Sequence, residues 1–310
     1  MIPKGKRPFK GVYAANLCPF TSSYALDEAE LARHVRWITR TSGITGVLCN
    51  GHGGEVTMLR REERRRVVEV VASAIGDRAV VVSGIACEGT LEAVEHARDA
   101  RGAGADALLV FPPYAWVLSQ DAEVAVAHHR RIAAAARLPL LAFQYSVHAG
   151  EAPYPPSVLK ALVSQPGVVG VKEGSWETTA YERNLRLIRK VAPEVAIMAS
   201  GDEHLLATFI LGTDGSMVSL ASLMPRQIVG LYEAVKAGDL KQAQAYHTEI
   251  YPVATAIYGT PPGGHAIPRL KTCLKMIGKL THDRVRPPLR PPDRAERAML
   301  RRALKEARLL

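Results

Sequence analysis

The sequence predicts a (β/α)₈ barrel carrying a C-terminal helical appendage, and three observations predict it. Eight short β-type runs alternate with longer amphipathic stretches. Many of those runs are apolar almost throughout, as strands must be when a parallel sheet is covered on both faces. After the eighth unit the pattern becomes wholly helical. Eight strand–helix alternations close most economically into a barrel. An open doubly wound sheet is the structural competitor, but no Gly-x-Gly-x-x-Gly follows the first strand to support it. The 310 residues exceed an ordinary single domain and fit a barrel.

Taken in order, the strand candidates are 12–18, 46–50, 79–85, 107–111, 138–145, 168–172, 195–199 and 216–220. The amphipathic stretches between them include 28–41, 60–75, 91–103, 122–137 and 179–191. Residues 226–237, 239–258, 266–279 and 293–308 then read as helices. Turn signals separate them: Ala237-Gly238-Asp239, the Gly- and Pro-rich stretch 259–264, and the Pro287-Pro288 to Pro291-Pro292 segment. The expected division is a barrel over 1–225 and helices packed on it over 226–310.

Apolar residues make up 47% of the chain and charged residues 23%, the profile of a globular protein with a large core. No apolar run is long enough to span a bilayer, and the basic start lacks the apolar segment of a signal peptide. The expected location is the cytoplasm, with no membrane partner. Cys18, Cys49, Cys87 and Cys273 are widely spaced and read as small hydrophobes, not as a disulfide framework or zinc site. The net charge of +10 sits at the two ends, +4 in residues 1–10 and +5 in 281–310, which leaves the rest near neutral. That distribution describes a solvated surface and not the basic face of a nucleic-acid reader.

Lys172 is the sharpest chemical signal. It ends the run Val168-Val169-Gly170-Val171 and shares a strand face with Gly170 and Val168 by alternation. Barrel active sites lie at this end of the strands. A lysine there loses hydration, its pKa falls, and a neutral amine can attack a ketone to give an iminium. Gly170 and Gly174 would leave room for substrate on that face. A lysine snorkelling off a strand end, or pairing with Glu173, gives the same pattern. The loop Asn50-Gly51-His52-Gly53-Gly54-Glu55 could present main-chain N–H groups of Gly53 and Gly54 to a carboxylate, and would equally suit a tight turn. Phe111-Pro112-Pro113-Tyr114 and Phe143-Gln144-Tyr145 place aromatics at strand ends, where tyrosines relay protons or simply line a rim. The adjacent His128 and His129 diverge and no His-Glu-x-x-His occurs, so no metal or other cofactor is expected.

These residues together resemble the dihydrodipicolinate synthase/N-acetylneuraminate lyase family of class I, Schiff-base-forming aldolases. The resemblance runs from Asn16-Leu17-Cys18-Pro19-Phe20 to the last helices. It is carried by Gly51-His52-Gly53-Gly54-Glu55, Pro112-Pro113-Tyr114, Gly170-Val171-Lys172-Glu173, Ser200-Gly201-Asp202 and Gly215-Ser216-Met217-Val218-Ser219. It implies a (β/α)₈ fold, Lys172 as the iminium-forming residue, and a 2-oxo acid such as pyruvate as the small-molecule partner. It implies a homotetramer built as a dimer of dimers, with Tyr114 reaching a neighbour's site. It also implies substrate contacts from His52, Gly53, Gly54, Phe143, His148 and Val218. The chain departs from the family's synthases at three places. His52 and Gly53 stand where those carry two hydroxylic residues, Phe143 where they carry the strand-five tyrosine, and His148 near the arginine that binds a second carboxylate. Dihydrodipicolinate synthesis itself is therefore not expected, and Tyr145, two residues on and on the same face, becomes the candidate proton carrier with Tyr114 and His52 as relay partners. The reading is an aldol or retro-aldol lyase. The alternatives are a dehydratase of a 3-deoxy-2-oxo sugar acid through the same iminium, and a 2-oxo acid binding protein without turnover. A wall of Phe111, Trp116, Phe143 and Trp176 would suit a second substrate that is weakly charged and aromatic.

Overall fold

Eight parallel strands close into a barrel in chain order, with β1 paired to both β2 and β8. In this computed structural model, which describes residues 9–310, they are β1 (Gly11–Ala15), β2 (Ile44–Cys49), β3 (Val80–Ile85), β4 (Ala107–Val110), β5 (Leu140–Gln144), β6 (Val168–Glu173), β7 (Ala196–Ala199) and β8 (Gly215–Val218). The helices between and after them are α1 (Glu28–Thr39), α2 (Arg61–Ile75), α3 (Thr90–Gly102), α4 (Ala122–Ala136), α5 (Pro156–Val163), α6 (Thr178–Val191), α7 (Leu205–Leu211) and α8 (Pro225–Lys236). Three more follow: α9 (Leu240–Ala254), α10 (Ala266–Met276) and α11 (Arg294–Glu306). The fold is the expected (β/α)₈ barrel with C-terminal helices. Most of the basic N-terminal stretch, residues 1–8, lies outside the described residues. No described helix is long and apolar enough to cross a membrane.

Local chemistry explains where the elements begin. Asp27, Asp121, Asp239 and Asp293 cap α1, α4, α9 and α11 by accepting hydrogen bonds from first-turn N–H groups, which have no partner inside the helix. Pro156 and Pro225 start α5 and α8, where a missing N–H costs nothing. The short helices α5 and α7, with 8 and 7 residues, were not among the amphipathic stretches read from the pattern.

Strand alternation builds two layers of core. Tyr13, Leu48, Val82, Leu109, Leu141, Met198 and Met217 fill the barrel interior, while their neighbours pack outward against the helices. Gly46 admits the Tyr13 ring, since a Cβ there would lie 2.0 Å from it. Alternation is broken once in β6. The register shifts beside Leu140 and Leu141, so Val169 rather than Val168 packs against the interior cluster below Lys172. The expected division at 225 separates β8 from α8, the helix that packs against β1 and α7 and completes the eighth unit. Beyond it, α9 packs on α8, and α10 and α11 pack on one another.

Candidate active site

Lys172 pairs in register with Phe143 of β5 and Met198 of β7, at the C-terminal end of the barrel. It points inward and is 9% exposed. Its ammonium position lies 5.1 Å from the centroid of the Phe143 ring, and among the described residues it makes no ion pair within 4 Å. Burial lowers its pKa to about 8, against the opposing pull of the Asp202 carboxylate. Snorkelling and pairing with Glu173 are both ruled out. Glu173 faces the helices and is fully buried, accepting hydrogen bonds from Asn184 Nδ2 at 2.8 Å and Ser175 Oγ at 3.0 Å.

Lys172 opens on a cavity of about 450 Å³ lined by Leu48, His52, Gly53, Phe143, Trp176, Asp202, Ser219 and Tyr258, among others. Residues from the C-terminal helical region close its outer side: Tyr258 from the π-helical segment Thr255–Gly259, then Gly263, Gly264, Ile267 and Leu270. Asp202 is buried, and its Oδ1 accepts the Leu220 N–H at 2.7 Å. Burial pushes its pKa up to about 6, while the Leu220 N–H and Lys172 hold it down. Among the described residues of the lining, Lys172 and Asp202 are the only Lys, Arg, Asp or Glu side chains.

The loop after β2 makes a tight turn at His52–Gly54. Asn50 and Glu55 flank it with φ of 52° and 54°, a conformation Asn tolerates and Glu adopts at a cost. Glu55 is held there by a fully buried ion pair with Lys271 of α10 and by the Arg286 N–H at 2.9 Å. Gly53 lines the cavity, and a Cβ on it would lie 2.9 Å from Ser219 Oγ. The expectation for Gly54 is corrected. Its N–H donates to Gly51 O at 3.0 Å inside the turn, and of the loop's residues His52 and Gly53, not Gly54, line the cavity.

His52 sits in an aromatic cage, its ring centroid 4.6 Å from Phe111 and 5.6 Å from Phe143. Its Nε2 lies 3.3 Å from the Tyr145 hydroxyl and 3.4 Å from the Tyr114 hydroxyl. Burial, helped by Lys172, lowers the His52 pKa to about 4, so the imidazole is neutral near pH 7. Burial raises both tyrosines, which are therefore protonated donors. Glu88 fixes the Tyr114 turn by accepting the Tyr114 and Ala115 N–H groups at 2.8 and 2.9 Å. The Tyr114 hydroxyl thus lies beside His52 of its own chain.

Other expected positions fall elsewhere. Val218 is buried on the outward face of β8, among residues packed against the helices, and its neighbour Ser219 lines the cavity instead. His148 is exposed on the loop after β5 and does not line the cavity. The space above Gly170 and Gly174 belongs to the Leu141 and Phe143 side chains, 3.1 and 3.2 Å from where a Cβ would stand, not to a substrate. Phe111 lies beneath His52, and Trp116 stacks edge-on against His128, so of the proposed aromatic wall Phe143 and Trp176 remain. Trp176 has φ 61° and donates from Nε1 to Glu203 at 3.1 Å. Asp202, Ser219 and Tyr258 were not singled out as site residues. The Ser200-Gly201-Asp202 segment was the one signal that could have found the first of them.

A closed parallel barrel with a buried lysine at its mouth defines a (β/α)₈-barrel enzyme. The model of the dihydrodipicolinate synthetase family matches residues 8–307, and the chain belongs to that family of lyases. It is 29% identical over 302 residues to a 4-hydroxy-tetrahydrodipicolinate synthase of Methanopyrus kandleri, covering 97% of each chain. It is 25% identical to YagE of Escherichia coli, a putative 2-dehydro-3-deoxy-D-gluconate aldolase, covering 97% of this chain and 98% of that one. The crystal structure of YagE in complex with pyruvate superimposes with a TM-score of 0.89 at 24% identity, over 97% of this chain and 99% of that one.

Proposed function

We propose that this protein is a class I aldolase: Lys172 forms an iminium with the ketone of pyruvate or a related 2-oxo acid, and the bond between C3 and C4 of a 4-hydroxy-2-oxo acid is then broken or made. The observation that carries this reading is a buried, unpaired lysine of lowered basicity at the floor of a cavity large enough for such a substrate. Family membership and the aldolase name of one relative support it.

In the cleavage direction the neutral Lys172 amine adds to C2, water leaves, and the iminium draws electrons from the C3–C4 bond. The substrate carboxylate takes the N–H groups of His52 and Gly53. A base removes the C4 hydroxyl proton as C3–C4 breaks and the aldehyde departs. The enamine gains a proton at C3, and hydrolysis frees pyruvate and the amine. Tyr145 carries the proton, with neutral His52 as its acceptor and Tyr114 as the third member of the relay. His52 and Gly53 in place of two hydroxylic residues, and a described lining without arginine, support a second substrate other than that of dihydrodipicolinate synthesis. The departing aldehyde is uncharged and lies against Trp176 and Tyr258. The enzyme acts as a homotetramer, as the family resemblance implies.

Pyruvate release from a panel of 4-hydroxy-2-oxo acids with neutral or dianionic tails tests this directly. Neutral-tailed, including aromatic, substrates are turned over, and Tyr145→Phe lowers their cleavage by about a hundredfold or more, the usual contribution of a general acid–base. Turnover confined to dianionic substrates contradicts the proposal, and wild-type cleavage by Tyr145→Phe removes Tyr145 from the relay.

A further inference from the structure

A second and larger cavity, of about 840 Å³, lies on the flank of the barrel and shares no lining residue with the first. The end of α1, the start of α8, the middle of α9 and the segments following α10 and α11 converge on it. Four cations border it, one from each of four places in the fold: Arg40, Arg226, Lys279 and Arg308. No Asp or Glu lines it, and none of the four makes an ion pair among the described residues. Its walls carry the half-buried rings of Trp37 and Tyr246, with Lys279 held 5.2 Å from the Trp37 ring centroid.

Like charges gathered at a concave surface repel one another, and the low-dielectric walls concentrate their field. Other cations of this molecule, such as Arg98, Arg101 and Arg137, also lack an ion pair among the described residues, but Arg61, Arg66, Arg286 and Arg297 are compensated by carboxylates. The four around this cavity are not, and the catalytic cavity makes no use of them. The volume suits a small organic molecule, and the guanidinium groups suit carboxylate or phosphate oxygens.

We propose that this flank cavity is a ligand site for a small organic anion with at least two negative charges, as carboxylates or phosphate, and an apolar body that lies against Trp37 and Tyr246. The full-length enzyme is titrated calorimetrically at low ionic strength with two probes, citrate and 1-naphthyl phosphate. Saturable binding of one molecule of either probe per chain is expected. Whichever probe binds more tightly identifies carboxylate or phosphate as the preferred group. Binding should fall at least about tenfold in the Arg40→Ala/Arg226→Ala double variant, which loses two charge-assisted contacts. It should be largely retained in Arg40→Lys/Arg226→Lys and unchanged in Lys172→Ala, which separates this site from the catalytic cavity. Both pairs of surface substitutions should melt as the wild type does. Absence of one-per-chain binding by both probes, wild-type affinity in the double alanine variant, or loss of binding in Lys172→Ala each overturns the proposal.

Discussion

At the scale of single residues, the chemistry rests on how two buried groups set each other's charge. Burial lowers Lys172 to about 8 and raises Asp202 to about 6, and each charge partly restores the other. Below about pH 8 the amine is mostly protonated and cannot attack, so iminium formation should rise with pH up to about 8 and then level off. Asp202→Asn keeps an acceptor for the Leu220 N–H but removes the charge that favours ammonium. Its profile should therefore shift to lower pH, as read by the rate of borohydride trapping with pyruvate; an unchanged profile or an upward shift would show that Asp202 does not act on Lys172. Lys172 was legible because a lone lysine ended an apolar strand run. Asp202 and Tyr258 were not, because they follow β7 and α9 and meet Lys172 only once the chain has folded. Val218 was misassigned by one residue, and along a strand one residue is the difference between the helix-facing side and the cavity.

At the scale of elements, the loop after β2 depends on a helix more than two hundred residues away in sequence. Glu55, in a left-handed conformation, is locked by Lys271 of α10, and both side chains are fully buried. Removing one member of such a pair leaves the other charge uncompensated, at a cost of about 3–5 kcal/mol. Lys271→Met should therefore lower stability by about that amount in chemical denaturation and weaken pyruvate binding, because the loop holding His52 and Gly53 loses its anchor. The double variant Glu55→Gln/Lys271→Met should recover much of the stability. Little loss in the single variant, or no recovery in the double, would deny the anchor. The glutamate of the strand-two motif is thus placed to hold the loop and does not line the cavity. The sequence offered the loop as a glycine-rich turn, but its partner is set by tertiary packing that no local pattern records. The same limit hid α5 and α7, whose 8 and 7 residues are too few to show a helical period.

At the scale of the whole molecule, eight alternating units, their buried strands and the C-terminal helices were readable from hydrophobic pattern alone. What the pattern could not show is that those last helices close the catalytic cavity through Tyr258, Ile267 and Leu270. The fold also holds histidines in neutral form, His34, His128 and His129 buried and His52 half-buried. His34, His52 and His128 are lowered to about 4, and His129 to about 3, chiefly by burial. Their folded pKa values lie below the ordinary 6.5, so between about 6.5 and 4 the unfolded chain binds more protons. Stability is therefore greatest above pH 6.5 and falls as pH drops through that window. Asp202, raised to about 6, and Glu173, also raised by burial, oppose this, while His96 and His247, lowered by burial, add to it. The melting temperature should decrease steadily from pH 7 to pH 4.5, and a constant or rising value would contradict the burial of these histidines as neutral groups. The central claim, that Lys172 is the nucleophile toward a 2-oxo acid, is tested most directly by incubating the protein with pyruvate, reducing with borohydride and mapping the adduct by mass spectrometry. The account predicts one reduced pyruvate per chain, located on Lys172 and lost in a folded Lys172→Ala variant; an unmodified wild-type chain, or an adduct on another lysine that persists in the variant, would contradict it.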